Sequence, residues 1–187
     1  MKPIITALRA AIVLLIISGL LYPVITTGVA QVLFPKQAEG SLVVQDGKVQ
    51  GSILLAQEFK GDEWFHSRAS AANYDPKASA ATNAAIASAD YKKTITESVN
   101  QLKKENLNIG ASVPADIVTT SGSGFDPDVS PEGAKAQVPH VSQATGITQE
   151  QLLSLIDSHT NGRQLGLFGE PRVNILELNL VLQQMKK

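Results

Sequence analysis

The chain has 187 residues, 43% of them apolar and 18% charged, with a formal net charge of −1. That length accommodates one domain of ordinary size with an appendage, and a charge so close to zero argues against a nucleic-acid binder with a basic face. Because there is no cysteine, disulfides, Cys-ligated zinc, iron–sulfur clusters and a thiol nucleophile are excluded. Only Lys2 and Arg9 carry charge before residue 36, which leaves 14 basic and 17 acidic residues, a charge of −3, in the remainder.

Residues 10–35 form a run of 26 without a charge, dominated by aliphatic side chains. At about 1.5 Å per residue, some 20 helical residues cross a hydrocarbon core, so the run predicts a transmembrane helix over residues 10–34. Pro23 removes a backbone donor and predicts a kink, which membrane helices accommodate. Gly19 is a candidate for close approach of a neighbouring helix, although no G-x-x-x-G pattern is present. Lys2 and Arg9 on the short side predict a cytoplasmic segment over residues 1–9 and an extracytoplasmic domain over residues 35–187. The alternative is a cleaved signal peptide, with residues 10–21 as its apolar core and Gly28-Val29-Ala30 as the cleavage site. Apolar residues continue past Pro23 through Val24, Ile25, Val29, Val32, Leu33 and Phe34, which favours a retained anchor.

The remainder predicts a single α+β domain. Residues 41–45 and 48–55 are β-prone runs joined by Asp46-Gly47, a type I′ hairpin signal. Trp64-Phe65 adds a candidate strand. Residues 66–89, rich in Ala, Ser and Asn and broken by Asp75-Pro76, predict a long loop. Asp90 opens a predicted helix whose apolar stripe is Tyr91, Ile95, Val99 and Leu102. Ser130-Pro131 predicts an N-cap followed by Pro at the first helical position, with an end or kink at Pro139 and a stop at Gly146. Thr148 and Gln151 have capping-box spacing before Leu152, Leu153, Leu155 and Ile156. A last helix is predicted from Pro171, with Val173, Leu176 and Leu180 on one face, Asn174, Glu177 and Gln184 as its polar stripe, and Lys186 and Lys187 at its end.

Catalytic and cofactor signatures are missing. No phosphate-binding G-x-x-x-x-G-K-[ST], dinucleotide G-x-G-x-x-G, H-E-x-x-H or G-x-S-x-G occurs in the sequence. His66, His140 and His159 are scattered. In the 113–131 stretch, Asp116, Asp126 and Asp128 are conceivable hard-cation ligands, but Ser, Gly, Asp and Pro there read more simply as turn formers that bond their own backbone. No catalytic, cofactor or metal site is therefore assigned. The residues singled out for docking or structure are Gly19, Pro23, Arg68, Ser121, Ser123, Asp126, Arg172 and Asn174.

VPADIVTTSGSGFDPDVSPEGAKAQVPHV (113–141) and LGLFGEPRVNILELNLVL (165–182) resemble signature segments of the KdpC family, a component of the bacterial high-affinity potassium-transporting ATPase (Kdp system). So do GSILLAQEF (51–59), Phe65-His-Ser-Arg68 with Ser70-Ala71, and the N-terminal span with Tyr22-Pro23. The chain departs from that family's usual residues at Ala56, Ala69, Asp128, His140 and Thr145, and in the stretch 78–89. The resemblance implies a single-span accessory subunit of an ATP-driven potassium importer, not an enzyme by itself. Its partners would be a channel-like potassium-translocating subunit, a P-type ATPase subunit, a very small membrane peptide and membrane lipid, with no nucleic acid. ATP and potassium would enter only through the complex. Family members are described as catalytic chaperones that raise the ATP affinity of the ATPase subunit, a role at odds with a domain outside the cytoplasm. Two other classes stay open: an exported binding protein with a cleaved signal, and an exported hydrolase with Ser121 or Ser123 as nucleophile.

Overall fold

The structure, a computed structural model, describes residues 2–45, 47–105, 109 and 112–186. The chain divides into two units, Met1–Gln50 and Gly51–Lys187. In the first, helix α1 (Lys2–Ile16), a π-helical turn (Ile17–Leu21) and helix α2 (Tyr22–Leu33) run on as 32 helical residues of mean hydropathy 2.5, none of them buried. The irregularity predicted at Pro23 takes the form of the π turn, in which the Tyr22 N–H reaches back five residues to the Ile17 carbonyl. A proline ring has no N–H and collides with the carbonyl four residues back in a regular α-helix, so the chain widens immediately before it. The hydroxyls of Thr6, Ser18 and Thr26 donate to the carbonyls of Lys2, Leu14 and Tyr22 at 3.1, 2.6 and 2.8 Å. Such back-bonding satisfies polar groups within the helix, as a hydrocarbon environment demands.

A single turn, α3 (Pro35–Ala38), leads to β1 (Leu42–Gln45) and β2 (Lys48–Ser52), which form a two-stranded sheet. Gly47 holds φ +72° in the connection, a left-handed conformation that glycine adopts at no steric cost; its predicted partner in the turn, Asp46, lies outside the described residues. β2 is shorter than predicted because the chain turns at Ser52, whose carbonyl accepts from the Leu55 N–H at 3.2 Å.

The second unit begins its regular structure with α4 (Ala89–Glu105) and α5 (Ala115–Val118). Ser88 caps α4 by accepting from the Tyr91 N–H at 3.1 Å, and of the predicted stripe Leu102 is buried while Tyr91, Ile95 and Val99 are half-buried. There follow β3 (Asp128–Val129), α6 (Pro131–Ala136), α7 (Val138–Thr145), α8 (Gln149–Ser158), β4 (Thr160–Asn161), β5 (Arg172–Asn174) and α9 (Ile175–Met185). The predicted caps are in place. Ser130 Oγ accepts from the Gly133 N–H at 2.9 Å, Thr148 and Gln151 form the reciprocal capping box, and Gly146 closes α7 at φ +73°. Pro139 sits in the first turn of α7, where its missing N–H costs nothing, so the chain restarts a helix there instead of bending one.

Two predictions are corrected. The last helix does not begin at Pro171: residues 172–174 are the central strand of a three-stranded antiparallel sheet ordered β3-β5-β4, with Val129 and Thr160 both opposite Val173. The helix starts only at Ile175, capped by Asn174, whose Oδ1 accepts from the Glu177 N–H at 3.2 Å. Trp64-Phe65 is not a strand either: the Trp64 N–H donates to the Gly61 carbonyl at 3.4 Å, and the Phe65 N–H and C=O bond to the Asn179 side-chain amide. Lys187, predicted to end the last helix, lies outside the described residues, and Lys186 instead places its ammonium 4.4 Å from the Trp64 ring centre.

Phe65, Val141, Leu152, Ile156, Val173, Leu178 and Leu182 form the centre of one apolar core, with Val129, Ala134, Val138, Leu155 and Ile175 around them. Helices α6 to α9 and the small sheet thus enclose a single mixed α+β core. Two buried amides cross it. Asn179, 1% exposed, accepts from the Phe65 N–H at 3.0 Å and donates to the Phe65 carbonyl at 2.8 Å. Gln137 treats the next residue alike, accepting from the His66 N–H at 2.7 Å and donating to its carbonyl at 3.0 Å.

Candidate functional site

The residues singled out in the second unit gather around the 119–130 loop. Arg68 lies two residues beyond His66, the end of the segment held by the two amides. Its guanidinium meets Asp126 Oδ2 at 3.0 Å and donates to Thr119 Oγ1 at 3.3 Å and the Thr120 carbonyl at 3.1 Å. A parallel bridge between Ala69 and Thr120, with the Ser121 N–H on the Ala69 carbonyl at 2.8 Å, fixes the two segments side by side.

Inside the loop Ser121, 1% exposed, is the hub. Its Oγ accepts from the N–H groups of Ser123, Gly124 and Asp126 at 3.3, 3.1 and 3.4 Å and lies 3.2 Å from Ser123 Oγ. Ser123 Oγ in turn accepts from the Phe125 N–H at 3.1 Å. A hydroxyl committed to three backbone donors is a turn scaffold, with no base among the described residues arranged to activate it as a nucleophile. Gly124 is required on two counts: φ is +79°, and an added Cβ would lie 3.0 Å from the Ala80 carbonyl oxygen and 3.1 Å from Ala72 Cβ.

The second cluster adjoins the first through Asp126, whose Oδ1 accepts from the Asp128 N–H at 3.2 Å. The Asp128 carboxylate receives Arg172 Nε at 2.9 Å and Asn174 Nδ2 at 3.1 Å. Asn174 Nδ2 also donates to the Ile53 carbonyl at 2.8 Å. Burial pushes the Asp128 carboxyl above its usual range, and the Asn174 and Arg172 contacts offset only part of that push. Arg68, Ser121, Ser123, Asp126, Arg172 and Asn174 thus belong to one hydrogen-bonded system running from the core segment to the central strand. Gly19 and Pro23 belong to the other unit, inside and just after the π turn.

The three aspartates considered for a cation do not converge. Asp116 accepts from the Ser130 N–H, Asp126 faces Arg68, and Asp128 faces Arg172. Among the described residues no group of three His, Cys, Asp or Glu side chains is arranged to hold a metal. The rings of His66 and His140 are 6.2 Å apart in a cleft that Asp62 also lines, and His66 Nε2 lies 3.2 Å from the Gly61 carbonyl. A cavity of about 430 Å³ lies between α4, α5 and the loop after Thr82. Hydroxyls and aliphatic groups line it, and Asp90 is the only charged lining residue among those described. Phosphate recognition calls for Lys, Arg or a nest of N–H groups, so this cavity is poorly suited to a nucleotide.

Sequence reasoning missed the two amides that position Arg68. Asn179 sits between Leu178 and Leu180 on a helix that is otherwise apolar toward the core, and that interruption was its one visible signal.

Comparison with known proteins yields one consistent picture. The model of the KdpC family, described as K+-transporting ATPase, c chain, matches residues 4–184. Among similar proteins, the Potassium-transporting ATPase KdpC subunit of Bradyrhizobium diazoefficiens is 47% identical over 195 residues, covering 95% of this chain and 96% of its own. The protein of the same name from Caldanaerobacter subterraneus subsp. tengcongensis is 43% identical over 182 residues, covering 96% and 94%. That from Bacillus cereus is equally similar, 43% over 182 residues with the same coverage.

Proposed function

The chain belongs to the KdpC family of K+-transporting ATPases, and from that premise we propose that it is the membrane-anchored, non-catalytic accessory subunit of an ATP-driven potassium importer. The observation that carries this reading is the pairing of an unburied 32-residue apolar helix with a domain whose candidate residues bond to one another and to the backbone. Every candidate side chain from Arg68 to Asn174 has a structural partner, so no reaction class can be assembled from them. Such a domain works by presenting a fixed surface to other subunits.

In this reading residues 1–9 are cytoplasmic, residues 10–34 span the membrane and residues 35–187 lie outside. The partners are the channel-like potassium-translocating subunit, the P-type ATPase subunit and the small membrane peptide. Assembly or gating is favoured over direct nucleotide contact, because the sequence has no phosphate-binding loop motif and the hydroxyl-lined cavity beside α4 has no basic residue among its described lining. The ATP affinity of the ATPase subunit is then raised, where it is raised, through the complex.

Co-expression with the other subunits tests this. The tagged full chain should recover both large membrane subunits from detergent extracts, and recovery of neither overturns the reading. ATP added to the chain alone should leave its melting temperature unchanged. A bound ligand at a hundredfold excess over Kd adds about 2.7 kcal/mol to native stability, so a clear thermal shift would restore direct nucleotide binding.

A further inference from the structure

Leu165, Leu167 and Phe168 are 89%, 75% and 64% exposed and stand together on the connection between β4 and β5. This connection is built, not slack. Gln164 and Phe168 exchange backbone hydrogen bonds at 2.8 and 2.9 Å, the Gly166 N–H donates to the Arg163 carbonyl at 3.1 Å, and Arg163 and Glu170 close the neck at 2.7 Å. The tip is folded at some cost. Leu165 holds φ +54° beside Gly166 at +74° and Gly169 at +76°, and a left-handed leucine is disfavoured by its own Cβ. Three large apolar side chains are thus held in water by a strained backbone, rooted through β5 in the core, where Val173 is fully buried. Strain and apolar exposure kept together at one place mark a contact site.

We propose that this tip is a preformed plug that seats in an apolar recess on another protein subunit of the potassium-transporting ATPase complex. The proposal rests on the subunit reading above and names the part of the domain that docks. Charge decides between a protein and a bilayer as the occupant. Within residues 162–170 the only charged side chains are Arg163 and Glu170, and they neutralise each other. A loop that inserts among anionic lipids needs a surplus of basic residues beside its apolar tip, and this one has none. A second copy of the chain is also a poor fit, because a projecting tip does not complement itself across a two-fold axis. Preorganisation suits a protein recess, since the ordering cost of binding is already met. Three side chains fall short of the roughly 800 Å² per partner of a standard interface, so the tip acts as the anchor point of a larger contact.

The full chain supplies the test. A Leu167→Ser/Phe168→Ser variant, co-expressed with the other subunits, should recover them several-fold less well than the native chain. Its own melting temperature should be unchanged, and Leu167→Met/Phe168→Leu should restore recovery. As the chain has no cysteine, Leu167→Cys introduces a single thiol into it. A hydrophilic maleimide should modify that thiol rapidly when the chain is alone in vesicles of mixed neutral and anionic phospholipid, and at least tenfold more slowly in the assembled complex. Protection in vesicles holding the chain alone would make lipid the occupant and overturn the proposal. Disulfide-linked dimers of the lone chain would do so in favour of a second copy. Normal recovery of the Ser variant with an unprotected thiol in the complex overturns it while leaving the subunit reading intact. If the native chain itself recovers no subunit, that reading fails first and the plug with it.

Discussion

Single polar residues decide how the second unit holds its shape. Phe65 is wholly buried, and its backbone N–H and C=O are satisfied by one side chain, Asn179. Replacing Asn179 by Leu keeps the branched shape of the side chain but strands both groups in the core. Each buried group left without a partner costs about 1–3 kcal/mol, so the urea midpoint should fall with the m-value unchanged. A loss below about 0.5 kcal/mol, the range of an ordinary surface change, would show that the amide is not what holds the segment. Asp128 behaves in the opposite sense to most acidic groups in ion pairs. Burial leaves its carboxyl above the usual range despite Asn174 and Arg172, so the folded state binds its proton more tightly than the unfolded one does. That contribution is fully present below the unfolded value and is lost as pH rises through the folded one. The stability of the native chain relative to Asp128→Asn should therefore decline as pH rises through the acidic range, and a gap that widens instead would reverse the assignment.

Elements whose signals are local were legible in the sequence, and those fixed from a distance were not. Ser130-Pro131, Thr148 with Gln151, and Gly146 each act within four residues, and each cap is where the sequence placed it. The strand β5 escaped notice because three residues are too few to show an alternation, and its partners lie more than ten residues away along the chain. The contacts of the candidate site are longer in range still, with Arg68 and Asp126 separated by 58 positions along the chain. In the anchor, Gly19 can be judged on its own helix. A side chain there would meet only Leu15 Cδ1, at 3.8 Å, so the helix itself does not require a glycine at this position. Gly19→Leu should accordingly insert normally, resisting alkaline extraction, yet recover the partner subunits poorly, because helix packing in lipid favours small residues. Normal recovery would remove Gly19 from any interface.

At the level of the whole molecule, the charge distribution predicts its placement. Lys2 and Arg9 precede the apolar run, and the acidic excess follows it. Protease added to cells stripped of any outer membrane should remove epitopes near the C-terminus and spare one near the N-terminus; the opposite protection would invert the topology. The two amides that clamp Phe65 and His66 also set an order of events. Gln137 follows His66 by 71 residues and Asn179 follows Phe65 by 114. At roughly 5–20 residues per second of synthesis, the Phe65 backbone waits on the order of ten seconds for its partner. Until then its N–H and C=O stay hydrated and its ring lacks the helix that covers it. The second unit can close only once α9 has been made, so a ribosome that stops short of α9 releases a polypeptide with its central phenylalanine uncovered, open to chaperones and proteases.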